Sequence, residues 1–167
     1  MKQFTLSLIF LVLLASCSTD NDERYDITTY YFAKQSKIAL TTEDTNTFAN
    51  IVYGENLVFK YNLIKADNPN IQDDEYSERL IFEIDPSVTE FTYNAEDIIQ
   101  ANAYFNQYCF CANIGSIPIT AGTIQGTKIN ADDWLVSINI SFEINGEPQS
   151  RSINKVFSNI ATFQQSY

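Results

Sequence analysis

The sequence predicts an all-β domain, an antiparallel β-sandwich or, as the alternative, a closed β-barrel. Three observations carry this. The first is alternation: Trp134, Val136, Ile138, Ile140, Phe142 and Ile144 are apolar, while Ser137, Asn139, Ser141 and Glu143 between them are polar. That period of two puts one strand face in a core and leaves the other wet. The second is punctuation, because Gly54-Glu55-Asn56, Asn68-Pro69-Asn70, Asp85-Pro86 and Asn145-Gly146 separate the apolar stretches with turn-forming residues. The third is composition: 12 Phe and 10 Tyr against only 5 Gly among 167 residues favour pleated, half-buried strands.

In order, residues 25–32 read as a first strand that is apolar on both sides, continued after a bend by 36–40. Residues 41–47 read as a polar loop, and 48–53 as a short element. Leu57, Phe59, Tyr61 and Leu63 alternate with Val58, Lys60 and Asn62, which predicts a strand over 57–65. An acidic loop over 66–75 leads to a strand over 79–84 and a short one over 88–93. Asn94 is placed to cap a short helix over 95–102, with Glu96 and Asp97 at its positive end. Strands follow over 103–112 and 119–129, the latter with Gly122 and Gly126 as candidate bulges. The strand over 134–144 turns back at Asn145-Gly146, whose residues suit positive φ, into a return strand over 149–157. Pro148 suits an edge, and residues up to Tyr167 can add a last short strand.

The helical corner ahead of a cysteine-bearing strand resembles the E–F corner of immunoglobulin-like sandwiches. That resemblance implies an immunoglobulin-like arrangement, with a calycin-like barrel as the alternative. Gln107 stands where that corner carries a tyrosine, and no earlier strand holds a partner cysteine.

The chain opens Met1-Lys2-Gln3, then runs apolar from Phe4 to Leu14, then reads Ala15-Ser16-Cys17. A positive start, a short apolar core and small residues at a cut make an export signal. The run is too short for a bilayer, which takes roughly 20 apolar residues. Leu14-Ala15-Ser16-Cys17 resembles the lipobox of bacterial lipoproteins. The resemblance implies removal of residues 1–16, a diacylglyceryl group on the Cys17 thiol, and attachment to a membrane through that lipid. Residues 17–25 then form a lipidated acidic tether and 26–167 a single β domain. The acidic stretch after Cys17 is similar to that of Bacteroidota lipoproteins sent to the cell surface, which implies outer-membrane anchoring on the surface or periplasmic face.

Charge narrows the partners. The net charge is −11, and loss of Lys2 with the leader makes it −12 with no histidine anywhere. Nucleic acid needs clustered cations and is excluded as a partner. Docking on anionic head groups is disfavoured too, which leaves membrane binding to the lipid. The absence of histidine removes Ser-His-Asp triads, Cys-His pairs and histidine-ligated metals.

Cys109 and Cys111 flank Phe110 on one strand face, with Cα atoms about 7 Å apart. They read most simply as two buried thiols; a disulfide or a soft-metal site is the sharper alternative, although zinc would lack ligands. Asp67, Asn68, Asn70, Asp73, Asp74 and Glu75 are the best oxygen donors for a cation, yet match no calcium loop and read as a solvated loop. Glu83 and Glu143 read as solvated acids on outer strand faces. Tyr30, Tyr31, Tyr53, Tyr61, Tyr76, Tyr93, Tyr104 and Tyr108 could form a binding row, or simply reflect the preference of sheets for tyrosine.

The expected function is a lipid-anchored binding or assembly module for a glycan or an envelope protein. No catalytic residue, cofactor or metal site is assigned. The alternatives are a carboxylate-dependent hydrolase and a passive structural component of an envelope complex. Contacts are expected from an aromatic sheet face or from the loops at 41–47 and 66–76.

Overall fold

The structure, a computed structural model, describes residues 24–68, 70–110 and 115–160. Its elements are β1 (Ile27–Glu43), β2 (Asn46–Tyr53), β3 (Asn56–Ile64), β4 (Tyr76–Ile84), β5 (Glu90–Tyr93), α1 (Ala95–Gln100), β6 (Tyr104–Cys109), β7 (Ile117–Pro118), β8 (Ala121–Lys128), β9 (Asp133–Ile144) and β10 (Glu147–Ile160). The all-β class is as expected. All the strands join one sheet in the order β5-β8-β9-β10-β1-β3-β4-β6-β7, with β2 paired to β1. The sheet curls into half a barrel, a form compatible with both the sandwich and the barrel.

The curl brings the two halves of the sheet face to face. Phe59 on β3 lies 5.7 Å from Trp134 on β9, and Phe105 on β6 lies 4.4 Å from Phe142 on β9. Phe32, Phe59 and Phe82 are cross-strand partners on β1, β3 and β4. Their rings stack at 5.3 and 5.0 Å, so register and packing reinforce one another. The period-two strand behaves as read: Trp134, Val136, Ile138, Ile140 and Phe142 are buried.

Several expectations need correction. The sheet is not wholly antiparallel, because β1 pairs with β10 in parallel over Tyr31–Ala33 and Ser158–Ile160. The polar stretch 41–47 is no loop: β1 runs through Glu43 and turns at Asp44, with φ 54°, into β2. The bend inside β1 is a register shift between Ala33 and Ser36, with Gln35 at φ 52°. Gly122 and Gly126 make no bulge, since β8 keeps unbroken register with β9 from Ala121 to Lys128. A Cβ on Gly126 would lie 2.5 Å from the Phe91 ring, so that glycine makes room for an aromatic side chain. Asn145 and Gly146 have φ of 52° and 82°, the tight turn expected. Helix α1 stops at Gln100, and the Asn94 N–H donates to Asp97 Oδ2 at 3.3 Å. The last short strand proposed beyond 160 lies outside the described residues.

The β1–β2 hairpin folds over the outer face of β3, β4 and β6 and encloses a second apolar cluster of Ile38, Ala49, Val58 and Ile81. Polar clamps hold it there. The Ala49 N–H and Asn106 Nδ2 both donate to Ser116 Oγ, at 2.7 and 2.6 Å. Arg79 Nη2 donates to the Ala49 carbonyl at 3.0 Å. Glu83 is therefore not a solvated outer acid, because it accepts from the Ile38 N–H at 2.8 Å and from Asn102 Nδ2 at 2.6 Å.

Inside the half-barrel one ion pair crosses from β10 to β4. Arg151 Nε and Nη2 donate to the two Glu78 carboxylate oxygens at 2.7 and 2.5 Å. Tyr76 Oη also donates to Glu78, at 2.7 Å. The guanidinium lies 5.3 Å from the centre of the Phe105 ring. Burial, aided by the Glu78 charge, pushes the Tyr61 phenol up to about 12. Burial and the hydrogen bond to Glu78 push Tyr76 up to about 12 as well.

Two outcomes are expected. Arg151→Met alone strands a buried carboxylate and should destabilise by about 3–5 kcal/mol in urea unfolding. The paired change Glu78→Leu with Arg151→Met should recover most of that loss; a double variant as unstable as the single one would show that the charge is not the cause. The two phenols ionise later in the folded chain than in the unfolded one. Their contribution is therefore complete below about pH 10 and lost as pH rises towards about 12. Melting temperature should hold from neutrality to that threshold and then fall in step with tyrosinate absorbance.

Candidate functional site

At the end of the sheet where the described chain begins, the outer face carries exposed apolar groups. Ile27 pairs with Ile64, Ile64 with Ser77, and Ser77 with Tyr108, one row across β1, β3, β4 and β6. Cross-strand partners share a face, so Ile27, Ile64 and Tyr108 belong to one surface. They are 57, 45 and 45 % exposed, and Phe110, the next outward residue of that end, is 77 % exposed. Tyr25 and Ile71 are exposed at the same end. Six of the twelve large apolar side chains exposed among the described residues thus gather there.

A cleft of about 450 Å³ runs beside this row, lined by Ile64, Lys65, Asp67, Glu75, Tyr76 and Tyr108. Its acidic wall is the predicted 66–75 loop. Asp74 Oδ2 accepts from the Asn68 N–H at 2.7 Å, and Asn68 Oδ1 from the Asn70 N–H at 3.0 Å. The hydrogen bond between the Asp67 and Asp74 carboxyls pushes Asp67 up from its ordinary range, with Arg24 opposing. Two surface ion pairs tie the first described residues to the loop: Arg24 to Asp67 at 3.1 Å and Asp26 to Lys65 at 2.6 Å. The Lys65 hydrogen bond holds the Asp26 carboxyl below its usual range. Among the described residues no group of three or more His, Cys, Asp or Glu is placed to hold a metal ion.

Cys109 stands at the edge of this cleft. It is half-buried and disulfide-bonded, which corrects the reading of a buried free thiol. Cys111, the other cysteine of this stretch, lies outside the described residues. Gln107 Nε2 sits 3.3 Å from the Cys109 sulfur, so the glutamine found in place of a tyrosine packs against that cysteine.

The tyrosines do not form a row. Tyr30 and Tyr61 face inward, 5.6 Å apart, and Tyr93 packs 5.0 Å from Phe91. Tyr104 closes the second core, and Tyr53 stands alone on β2 at 80 % exposure. Of the eight, Tyr108 joins the exposed apolar row and Tyr76 lines the cleft beside it. Arg79 lies 5.5 Å from the Tyr108 ring centre and links the patch to the hairpin layer. Glu143 is exposed on β9, as expected. Asp132 and Asp133 shape the turn into β9: Asp132 accepts from Asn159 at 3.0 Å, and Asp133 from Ser158 at 2.7 Å.

A second surface differs in chemistry. The outer face of β5, β8, β9 and β10 holds an open groove of about 610 Å³ lined by Glu90, Thr92, Gln125, Thr127, Ser137 and Asn154. Hydroxyls, amides and one carboxylate dominate it.

Sequence reasoning reached the 66–75 loop and Tyr108 but missed Ile27, Ile64 and Phe110. One signal was available. Once Leu57, Phe59, Tyr61 and Leu63 are assigned inward, Ile64 is left on the wet face beside Lys60 and Asn62. Alkylation of the native protein should leave Cys109 unlabelled, and reduction should expose it to the reagent. A Cys109 labelled before reduction, seen by peptide mass spectrometry, would contradict the disulfide.

No helix among the described residues is long and apolar enough to cross a membrane. Comparisons with protein families, with curated proteins and with solved structures found no match.

Proposed function

We propose that this chain is a lipid-anchored envelope protein of the outer membrane that docks a protein partner on the apolar end of its sheet. The observation that carries this reading is the gathering of Ile27, Ile64, Ile71, Tyr108 and Phe110, all exposed, at one end. Contiguous apolar surface of this kind marks interaction sites on soluble domains. An aromatic centre with Asp67 and Glu75 beside it also suits the apolar core and polar rim of protein interfaces.

The anchor reading supports the same end. Leu14-Ala15-Ser16-Cys17 reads as a lipidation signal, and Cys17 lies seven residues before Arg24. At roughly 3.3–3.6 Å per extended residue, that span reaches no more than about 25 Å. A lipid on Cys17 therefore keeps the patch close to a bilayer, within reach of neighbouring envelope proteins. Binding a partner there, not catalysing a reaction, is the role this surface suits.

A second reading rests on the polar groove. Gln125, Ser137, Asn154 and Glu90 offer the donors and acceptors that sugar hydroxyls need, so a glycan is the alternative partner.

Mass spectrometry of the protein from its own membrane should find the leader removed and acyl mass on Cys17, and Cys17→Ala should move the protein into the soluble fraction. Cross-linking in intact envelopes should capture a defined partner through the unchanged chain. Ile64→Ser with Tyr108→Ser should lose that partner with little change in melting temperature. Retained capture by the double variant, together with a glycan-array signal abolished by Gln125→Ala, would move the function to the groove.

A further inference from the structure

The outer face of β8, β9 and β10 stands out for the charge it lacks. Register sets its side chains in rows that cross the strands. Gln125, Ser137 and Asn154 make one row, which Thr92 on β5 extends. Thr123, Asn139 and Ser152 make the next, and Ala121, Ser141 and Ser150 the one after. On the other side of the first row lie Thr127, Leu135 and Val156. These twelve outward positions, four on each strand, hold no charged side chain. Yet 19 % of the chain is charged and its net charge is −11, and a soluble surface ordinarily carries charge on about 25–35 % of its residues. Glu90 and Glu143 stand at the margins.

The polar groups of this face are also unspent. Among the described residues, none of the hydroxyl and amide side chains in these rows has a hydrogen-bond partner in the protein. At the end of the same strands, by contrast, Ser158 and Asn159 are tied to Asp133 and Asp132. The groove of about 610 Å³ lies over two of the rows, with Leu135 in its lining beside Gln125, Ser137 and Asn154.

These features narrow the ligand. A charged ligand would shed its hydration against a face that offers no opposite charge, and burying an unpaired charge is costly. Protein interfaces gather aromatic and arginine side chains at their centre, and these rows contain neither. A ligand hydroxyl, however, exchanges a hydrogen bond to water for one to a serine, asparagine or glutamine side chain. Leu135 and Val156, exposed and paired across β9 and β10, suit the C–H face of a sugar ring. Strands lie about 4.8 Å apart and same-face residues about 6.8 Å apart along each strand, so the rows repeat like a lattice.

We infer that this uncharged face binds a neutral polysaccharide, laid over the rows of β8, β9 and β10 and through the groove. Such binding rests on the glycan reading of the groove, narrows the sugar to an uncharged one and widens the contact surface. Docking at the apolar end does not depend on it.

The full chain is titrated by calorimetry with neutral hexasaccharides of glucose, mannose and N-acetylglucosamine, and with acidic hexasaccharides of galacturonate and glucuronate. At least one neutral hexasaccharide should bind saturably, at least tenfold tighter than either acidic one. Asn139→Glu and Ser152→Lys, opposite charges placed on one row, should each weaken that binding at least fivefold with melting temperature unchanged. Lys155→Glu, on β10 but opposite the inward-facing Val136, should leave binding as it was. A loss with Lys155→Glu equal to that with Asn139→Glu would mark a general charge effect and overturn the inference. Undiminished binding by both Asn139→Glu and Ser152→Lys would overturn it too. Preference for an acidic sugar, lost on Gln125→Ala, would overturn it while leaving the glycan reading in place, and no saturable binding of any sugar would remove both.

Discussion

The structure depends on burying one aromatic ring, Phe59, from all sides. Its ring lies within 5.0 to 6.3 Å of Phe32, Phe82, Phe91, Trp134 and Phe157, which come from five other strands. A flat sheet can cover such a side chain on one face only. Curling brings β9 and β5 across to cover the rest, and the apolar area removed from water repays the bending. Smaller details serve the same end. Gly126 gives up its side chain so that Phe91 can lie over β8, and Trp134 stands edge-on to Phe59. Truncating a residue so placed would leave a cavity shared by six strands, which is the costly kind.

Polar chemistry is placed where this packing ends. The interior carries one ion pair, Glu78 with Arg151, where the aromatic seam gives way to Tyr61 and Tyr76. Those phenols, with the faces of Phe105 and Phe142, let a charged pair sit in a space otherwise closed to water. On the outside, Ser116, Arg79 and Glu83 satisfy the backbone groups that the β1–β2 hairpin brings against the sheet, and Asn106 holds Ser116 and Arg79 in place. The inner layer thus sets the shape, and the polar clamps set where the third layer rests.

Much of this was readable in the chain. Strands with an apolar inner face announce themselves by period two, and β3, β4 and β9 were located with their inward residues correctly assigned. The helix start at Asn94 and the turn at Asn145-Gly146 follow from local chemistry alone. The hairpin tip at 41–47 reads as a loop for a physical reason: Thr41 to Thr45 are all exposed, so no core imposes alternation on them. The parallel contact of β1 with β10 was beyond reach, because it joins Tyr31 to Ser158 and no local pattern encodes a pairing so distant. The apolar end was half legible. Tyr108 was named among many tyrosines, but its neighbours Ile27 and Ile64 become a surface only once register sets them side by side.

That same short parallel contact leaves the half-barrel with an open slit. Strand β10 pairs with β1 over Ser158–Ile160, and no other described strand pairs with its flank from Glu147 to Phe157. An unpaired flank of this length favours pairing of one molecule with another. Pro148 withholds an N–H at the start of that flank, and Lys155 places a positive charge farther along it. Where such molecules meet at high local density, a proline and a lysine along that flank disfavour edge-to-edge pairing.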